Sequence, residues 1–461
     1  MRFRPRCSGS FGTPRRVRTP ACTIAIWSSR KRTPGSPAAF SRSVSRPYGG
    51  PGGGNDVVVT PSLIRLATGR SRSFFQDDLD ERRGLLSAAL GGARVLVIGG
   101  AGSIGSATVR LLAEYAPEAL HVVDISENGL VELVRDLRGS PTDLAVRDFR
   151  ALPLDFGSEV FHRHLNSEPG YDFVLNFAAL KHVRSEKEVC SVLQMIDTNV
   201  VKQAGLVRWL AESGRASRYF SVSTDKAANP VNLMGATKRL MEHVAFGLDG
   251  KDGFKATSAR FANVAYSDGS LLQGWFLRLE KRQPLAVPRA ARRYFISLEE
   301  AGQICLLAAV AVEPGLIVVP KLNPREHLRE LEKVASDFLA AQGYEAHPCG
   351  DEGSAKRIVE VDIADGRYPM LVTPLDTTGE KPYEEFVGNG ERVHEVGMRA
   401  LSAVIHNPPP RGSVERFLTL ARSLIADPTI EVTKFEVVAM LKDVVPEFAH
   451  RETGKLLDER L

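Results

Sequence analysis

The sequence predicts an α/β protein: a Rossmann-type doubly wound parallel sheet with a smaller C-terminal lobe. Three observations carry this. Short apolar runs alternate with helix-length segments between residues 93 and 264, the pattern of βαβ units. The first run is continuous rather than alternating, as in a strand buried on both faces. It leads straight into Gly99-Gly-Ala-Gly-Ser-Ile-Gly105, a glycine turn that opens a helix.

Taken in order, residues 1–55 hold ten Arg and Lys31 but no Asp or Glu, a charge of +11. The whole chain carries +5, which leaves −6 for the rest. The basic charge therefore belongs to a tail, and gives the folded part no claim on nucleic acid. Residues 1–56 are rich in Arg, Ser, Pro and Gly and are expected to be disordered. An extension outside the working protein is favoured over a basic interaction arm or a transit-type presequence. Pro14, Pro20, Pro34, Pro37 and Pro47 argue against a continuous targeting helix.

Residues 57–92 read as a helical lead-in, with Leu63, Ile64, Leu66, Phe74, Phe75, Leu79, Leu85, Leu86 and Leu90 at a loose helical period. Strands are expected at 94–98, 119–123, 151–154, 173–175, 219–222 and 256–261, which makes 93–264 a dinucleotide-binding domain. A substrate lobe over 265–386 retains a strand-like run at 316–320. Residues 387–461 are expected to be mainly helical, with a break at 407–412. The five Cys (7, 22, 190, 305, 349) form no CxxC pair. That suits a reducing compartment and predicts no metal site. The longest apolar run, 304–312, stops at Glu313-Pro314 and is too short for a membrane span. A soluble, cytoplasmic protein is expected.

Backbone can approach a pyrophosphate closely at a glycine turn, and the helix N-terminus supplies N–H donors. Gly99, Gly102, Ser103, Ile104 and Gly105 are therefore the expected cofactor contacts. Asp124 ends the next strand nineteen residues after Gly105 and, with Ser126, suits the adenosine ribose. No Arg or Lys precedes Arg135 there, so NAD is favoured over NADP. Asp155 and Phe156 end the third strand, where adenine contacts or a helix cap are equally apt. Ala178 and Ala179 end the fourth and are small enough for a cofactor to pass; Lys181 and His182 follow. Asn199 is read as a brace.

The fifth strand ends in Thr224, Asp225 and Lys226. Lys238 lies four residues beyond Met234 on one helical face. An acid and an amine at a strand tip, with a second amine on the next helix, suit acid–base chemistry.

These stretches, with Asn232-Leu-Met-Gly-Ala-Thr-Lys238, resemble the extended short-chain dehydrogenase/reductases. Within that group they are similar to the UDP-N-acetylglucosamine 4,6-dehydratases of capsule and flagellin-glycan biosynthesis. The resemblance runs from about 94 to 300 and resumes at 378–385. It implies a nucleotide-sugar substrate, oxidation at C4, loss of water across C5 and C6, and hydride return to C6. Asp225 is then the acid toward the C6 hydroxyl, Lys226 the base at C5, and Lys238 the lysine at the nicotinamide ribose, lowering neighbouring pKa values. Asn263, Ser270, Lys181, His182 and Arg293 fall where relatives hold the nucleotide sugar, as does Arg260. Gly379-Glu-Lys381 matches the end of the substrate lobe.

Met234 stands where the wider superfamily has a catalytic tyrosine, so the C4 base is unassigned among Thr224, Ser223 and Asp225. Ala290 and Ala291 stand where relatives have an acidic residue, which loosens the assignment of the sugar. Two alternatives stay beside the dehydratase: an epimerase of the same superfamily, and a non-catalytic dinucleotide-binding regulator. A homo-oligomer is expected, with no nucleic-acid partner.

Overall fold

The computed structural model describes residues 59–140, 144–181, 186–248, 250, 253–376 and 381–450. Its first strands are β1 (Arg94–Ile98), β2 (Ala119–Asp124), β3 (Asp148–Pro153), β4 (Tyr171–Asn176), β5 (Ala216–Val222) and β6 (Lys255–Ala259). Next come β7 (Asn263–Val264), β8 (Leu285–Pro288), β9 (Arg292–Ile296), β10 (Leu316–Pro320) and β11 (Leu328–Glu330). The last are β12 (Glu345–Cys349), β13 (Arg367–Thr373), β14 (Val393–His394) and β15 (Leu401–Ile405).

The main sheet runs β14-β15-β10-β6-β5-β4-β1-β2-β3. From β3 to β10 every pairing is parallel; β15 lies antiparallel to β10, and β14 to β15. The strand order reverses between β1 and β4, which opens a crevice at their carboxyl ends. Strands β1 and β10 are buried almost throughout, whereas the edge strand β3 is half-exposed. Two small sheets, β11-β9-β7 and β12-β13-β8, build the lobe.

Helices α1 (Pro61–Thr68), α2 (Gln76–Glu81) and α3 (Arg83–Leu90) precede the sheet. Around it lie α4 (Ser103–Ala113), α5 (Glu127–Arg138), α6 (Glu159–Ser167), α7 (Val189–Ile196), α8 (Lys202–Ser213) and α9 (Leu233–Phe246). The remainder are α10 (Leu271–Glu280), α11 (Leu298–Val310), α12 (Pro324–His327), α13 (Leu331–Ala341), α14 (Glu352–Ala364), α15 (Ser413–Ala426) and α16 (Lys434–Val444).

Local chemistry sets the helix starts. Ser126, Ser158, Asn232 and Ser270 each accept a backbone N–H at the start of α5, α6, α9 and α10. Ser297 and Glu300 form a reciprocal capping box on α11.

The lead-in divides between two cores. Phe75, Leu79, Leu86 and Leu90 join the main core. Leu63 and Ala67 of α1 join the lobe core, with Trp275, Phe338 and Tyr368. Within 387–450, α15 and α16 make the segment mainly helical as expected, but β14 and β15 also fall there; residues 451–461, like 1–58, lie outside the described residues. An apolar run as short as 401–405 reads as helix or strand by periodicity alone; its pairing with β10 decides it. Among the described residues, no helix is long and apolar enough to cross a membrane.

Candidate active site

The glycine turn sits at the crevice. Gly99 has φ +73°, and a Cβ there would lie 2.5 Å from the Ala178 backbone nitrogen. A Cβ on Gly105 would lie 2.3 Å from the Gly99 carbonyl. Packing thus demands these two glycines. Gly102 is exposed, and a Cβ there would meet only the Gly99 carbonyl, at 3.5 Å, so its bareness serves close approach from outside. Helix α4 starts with no side-chain cap, leaving first-turn N–H groups near Ser103, Ile104 and Gly105 for an anion. The Asp124 carboxylate accepts from Ala101 N (3.0 Å) and Ser126 N (2.9 Å), fixed beside the turn. These residues fit a dinucleotide.

Other expected contacts are differently engaged. Asp155 holds Lys202 at 2.6 Å and the Gly157 N–H at 2.9 Å, and the Phe156 ring is buried in the core. Ala178 donates to Asn176 Oδ1 (3.0 Å), which fixes the strap that includes Ala179. Fully buried Asn199 lies in a π-helical turn, Asp197–Val201. It bonds both backbone groups of Leu180 (2.8 and 2.9 Å) and Thr237 Oγ1 (3.2 Å). The expected brace therefore ties the β4 strap to α9. His182 lies outside the described residues, as do Gly379 and Glu380.

At the end of β5, Asp225 Oδ1 accepts from Thr224 Oγ1 (2.8 Å) and Lys226 Nζ (3.1 Å). Asp225 is 2% exposed, and its Oδ2 has no hydrogen-bond partner among the described residues. Lys238 is buried and donates to the Val222 carbonyl (3.1 Å). Met234, also buried, presents no proton acceptor; its N–H and that of Leu233 bond the Glu186 carboxylate (2.8 and 3.1 Å).

On the lobe side, Asn263 Nδ2 donates to the Tyr294 carbonyl (3.3 Å). Ser270 caps α10. Arg293 donates to the carbonyls of Arg292, Lys381 and Pro382. Arg260 does not face the crevice: fully buried, it pairs with Glu242 and Glu391. Lys181 Nζ reaches the Asp268 carbonyl (2.9 Å), and the Asp268 carboxylate accepts from Ser103 Oγ (2.9 Å).

Asp268, Glu186, Glu242 and Glu384 also engage these residues, and the sequence patterns above do not point to them. Only Glu242, four residues past Lys238, carried a readable signal. His121, His164 and Glu168 bring possible ligand atoms within 4.8 Å of one another. Both His121 nitrogens already bond Tyr171 and Asp148, and Glu168 pairs with Arg94 and Arg150.

Residues 95–405 match the family described as polysaccharide biosynthesis protein. The chain belongs to this family. It is 30% identical over 300 residues to an uncharacterized membrane protein of Methanocaldococcus jannaschii, covering 64% of this chain and 80% of that one. It is 26% identical to the probable polysaccharide biosynthesis protein EpsC of Bacillus subtilis, over 66% of this chain and 47% of the relative. The capsular polysaccharide biosynthesis protein CapD of Staphylococcus aureus is covered over 54% of its length, so the chain spans about half of these two. A UDP-N-acetylglucosamine 4,6-dehydratase (inverting) of Campylobacter jejuni is 28% identical over 50% of this chain and 67% of its own. The X-ray structure of Pen from Bacillus thuringiensis superposes with TM-score 0.55 at 20% identity, covering 69% of this chain and 88% of that chain. That likeness speaks to the fold alone. Family, relatives and sheet order together bear out the extended short-chain dehydrogenase/reductase assignment.

The electrostatics of this family member invert one expectation. Lys226 was expected to be lowered by a neighbouring cation. Burial does pull its ammonium down, but Asp225 and Glu384 outweigh burial and Arg293, so its pKa lies above the usual lysine value. Lys238 is the lowered one. Burial brings it to about 7, with Glu242 opposing and Lys181 reinforcing. Between about 7 and its ordinary 10.5, the folded chain binds fewer protons here than the unfolded chain, so stability rises with pH. A Lys238→Met variant lacks this dependence. Chemical denaturation across pH 7 to 10.5 is expected to show wild type gaining stability relative to Lys238→Met as pH rises. Parallel curves would refute a buried, lowered amine.

Proposed function

We propose that the protein is a nucleotide-sugar 4,6-dehydratase acting on UDP-N-acetylglucosamine, in the cytoplasm, with NAD favoured over NADP as its bound cofactor. One observation carries the reading. An aspartate and a lysine sit 3.1 Å apart at a strand tip in the crevice, with the second aspartate oxygen buried and unbonded. The dehydratase relative supports the reaction class. Free Cys190, Cys305 and Cys349 suit a reducing compartment.

When bound, the dinucleotide supplies hydride acceptance from C4 and hydride return. The protein moves the protons. Ser223 donates to buried Glu242 (2.6 Å), so its hydroxyl is committed. Thr224 donates to Asp225, which leaves its oxygen as the acceptor for the C4 hydroxyl proton and Asp225 as the next station. Asp225, then a carboxylic acid, protonates the departing C6 hydroxyl. Lys226, as neutral amine, takes the C5 proton that the C4 ketone has acidified, and once hydride has reached C6 a proton returns to C5, which leaves the amine neutral again. Met234 serves packing only.

The test is incubation of purified full chain with UDP-N-acetylglucosamine and NAD, read by mass spectrometry. The expected product has lost one water. An isomer of unchanged mass would mean an epimerase. No conversion of this or other UDP- and dTDP-sugars would sink the catalytic reading.

A further inference from the structure

Glu384 has no part in the chemistry above, yet its segment is tied to the loop after Lys226 and its charge acts on that lysine. Glu384 is 4% exposed, and its Oε2 has no hydrogen-bond partner among the described residues. That oxygen lies 3.5 Å from Lys381 Nζ, but Lys381 donates to the Asn229 carbonyl in the loop after Lys226. The segment carrying Glu384 is pinned on both sides. Pro382 O accepts from Arg292 N (2.9 Å) and from Arg293 (3.0 Å), and Glu385 accepts from Asn229 (2.9 Å). Two buried carboxylate oxygens without hydrogen bonds, on Asp225 and Glu384, thus belong to groups acting on Lys226. A buried carboxylate left unbonded is costly and marks a place where a ligand donor is received.

We propose that Glu384 is a wall of the sugar site: its Oε2 accepts a hydrogen bond from a hydroxyl or amide N–H of the seated sugar. Until then its charge holds the proton on Lys226. The proposal rests on the dehydratase reading for the identity of the sugar, though not for its effect on Lys226. The charged groups facing Lys226 are Asp225 beside it, Glu384 from the downstream segment and Arg293 from β9; Glu384 itself faces Lys381. As a sugar donor engages Glu384, its hold weakens. Lys226, about a fifth exposed, releases one proton to solvent and becomes the amine that C5 deprotonation needs. In this role Glu384 is a positioning residue for Lys226.

The experiment titrates Lys226 directly in ligand-free wild type, Glu384→Gln, Glu384→Asp and Lys381→Met. Competitive acetylation with acetic anhydride across pH is read by peptide mass spectrometry. Glu384→Gln is expected to shift the Lys226 midpoint to lower pH. At a fixed pH below the wild-type midpoint, its labelling is then roughly threefold or more faster. Glu384→Asp keeps the charge and the wild-type midpoint. Lys381→Met leaves Glu384 less neutralised and moves the midpoint up, which decides the matter should Glu384→Gln not fold. The acid limb of kcat for sugar conversion is expected to move with the midpoint. Unmoved midpoints in Glu384→Gln or Lys381→Met would overturn the inference, as would turnover lost equally at every pH. Wild type that converts no sugar would overturn the dehydratase reading instead, and the labelling would still decide whether Glu384 governs the Lys226 proton.

Discussion

Lys226→Gln is expected to abolish water loss from UDP-N-acetylglucosamine, lowering kcat by about 10² to 10⁴, while NADH binding persists. Glutamine keeps a donor for Asp225 Oδ1, which Lys226 supplies at 3.1 Å, but it cannot take a proton from carbon. The variant therefore separates chemistry from folding. Lys226→Ala does not, because it strips a charged partner from a carboxylate that is 2% exposed. Asp225→Asn should fall by a similar factor, and the double variant by little more, since the two act as a unit. Product mass and NADH fluorescence check both halves. Retained turnover in Lys226→Gln would move the C5 base elsewhere. Loss of biological activity with cofactor binding intact would exclude a non-catalytic regulator.

Arg260→Met is expected to cost roughly 3–5 kcal/mol of stability. The guanidinium is wholly buried between Glu242 and Glu391, each 1% exposed at the side chain. Arg239 also touches both, so the cluster is weakened but not emptied. Burial pushes the Glu242 carboxyl up, but Arg260, Arg239 and Ser223 bring it down to about 2. Because the folded pKa is depressed, this stabilisation is present above the ordinary 4.5 and lost as pH falls toward about 2. Denaturant unfolding should show the gap between wild type and Arg260→Met shrinking as pH falls from 4.5 toward about 2. A gap independent of pH would assign the loss to packing alone. Turnover should drop too, since Glu242 holds Ser223, the neighbour of Thr224.

Local chemistry made much of this legible from sequence. The strand at 94–98, its glycine turn, Asp124, and the pairing of Thr224-Asp-Lys226 with Lys238 are short-range patterns, and the sheet places them at one edge. Arg260 misled because a motif position says nothing about which way a side chain points; two distant carboxylates decided that. Ser270 caps its own helix. Glu384 and Asp268 escaped because their partners, Lys226, Lys381 and Ser103, lie mostly far along the chain, and no periodicity reports a contact between loops. The strand at 401–405 was missed for the same reason.

The downstream segment that walls the site has a consequence for birth order. Strands β1 to β6 and the glycine turn are made before residue 260. The loop after Lys226, however, waits for Lys381, Glu385 and Asn389, and Pro230 for Ala449. At about 5–20 residues per second, a ribosome needs about 10–40 s to add that stretch. On the proposed reading, a nascent chain thus completes its nucleotide cradle well before the loop after Lys226 is fixed, and cofactor and sugar have an order of first arrival written into the direction of synthesis.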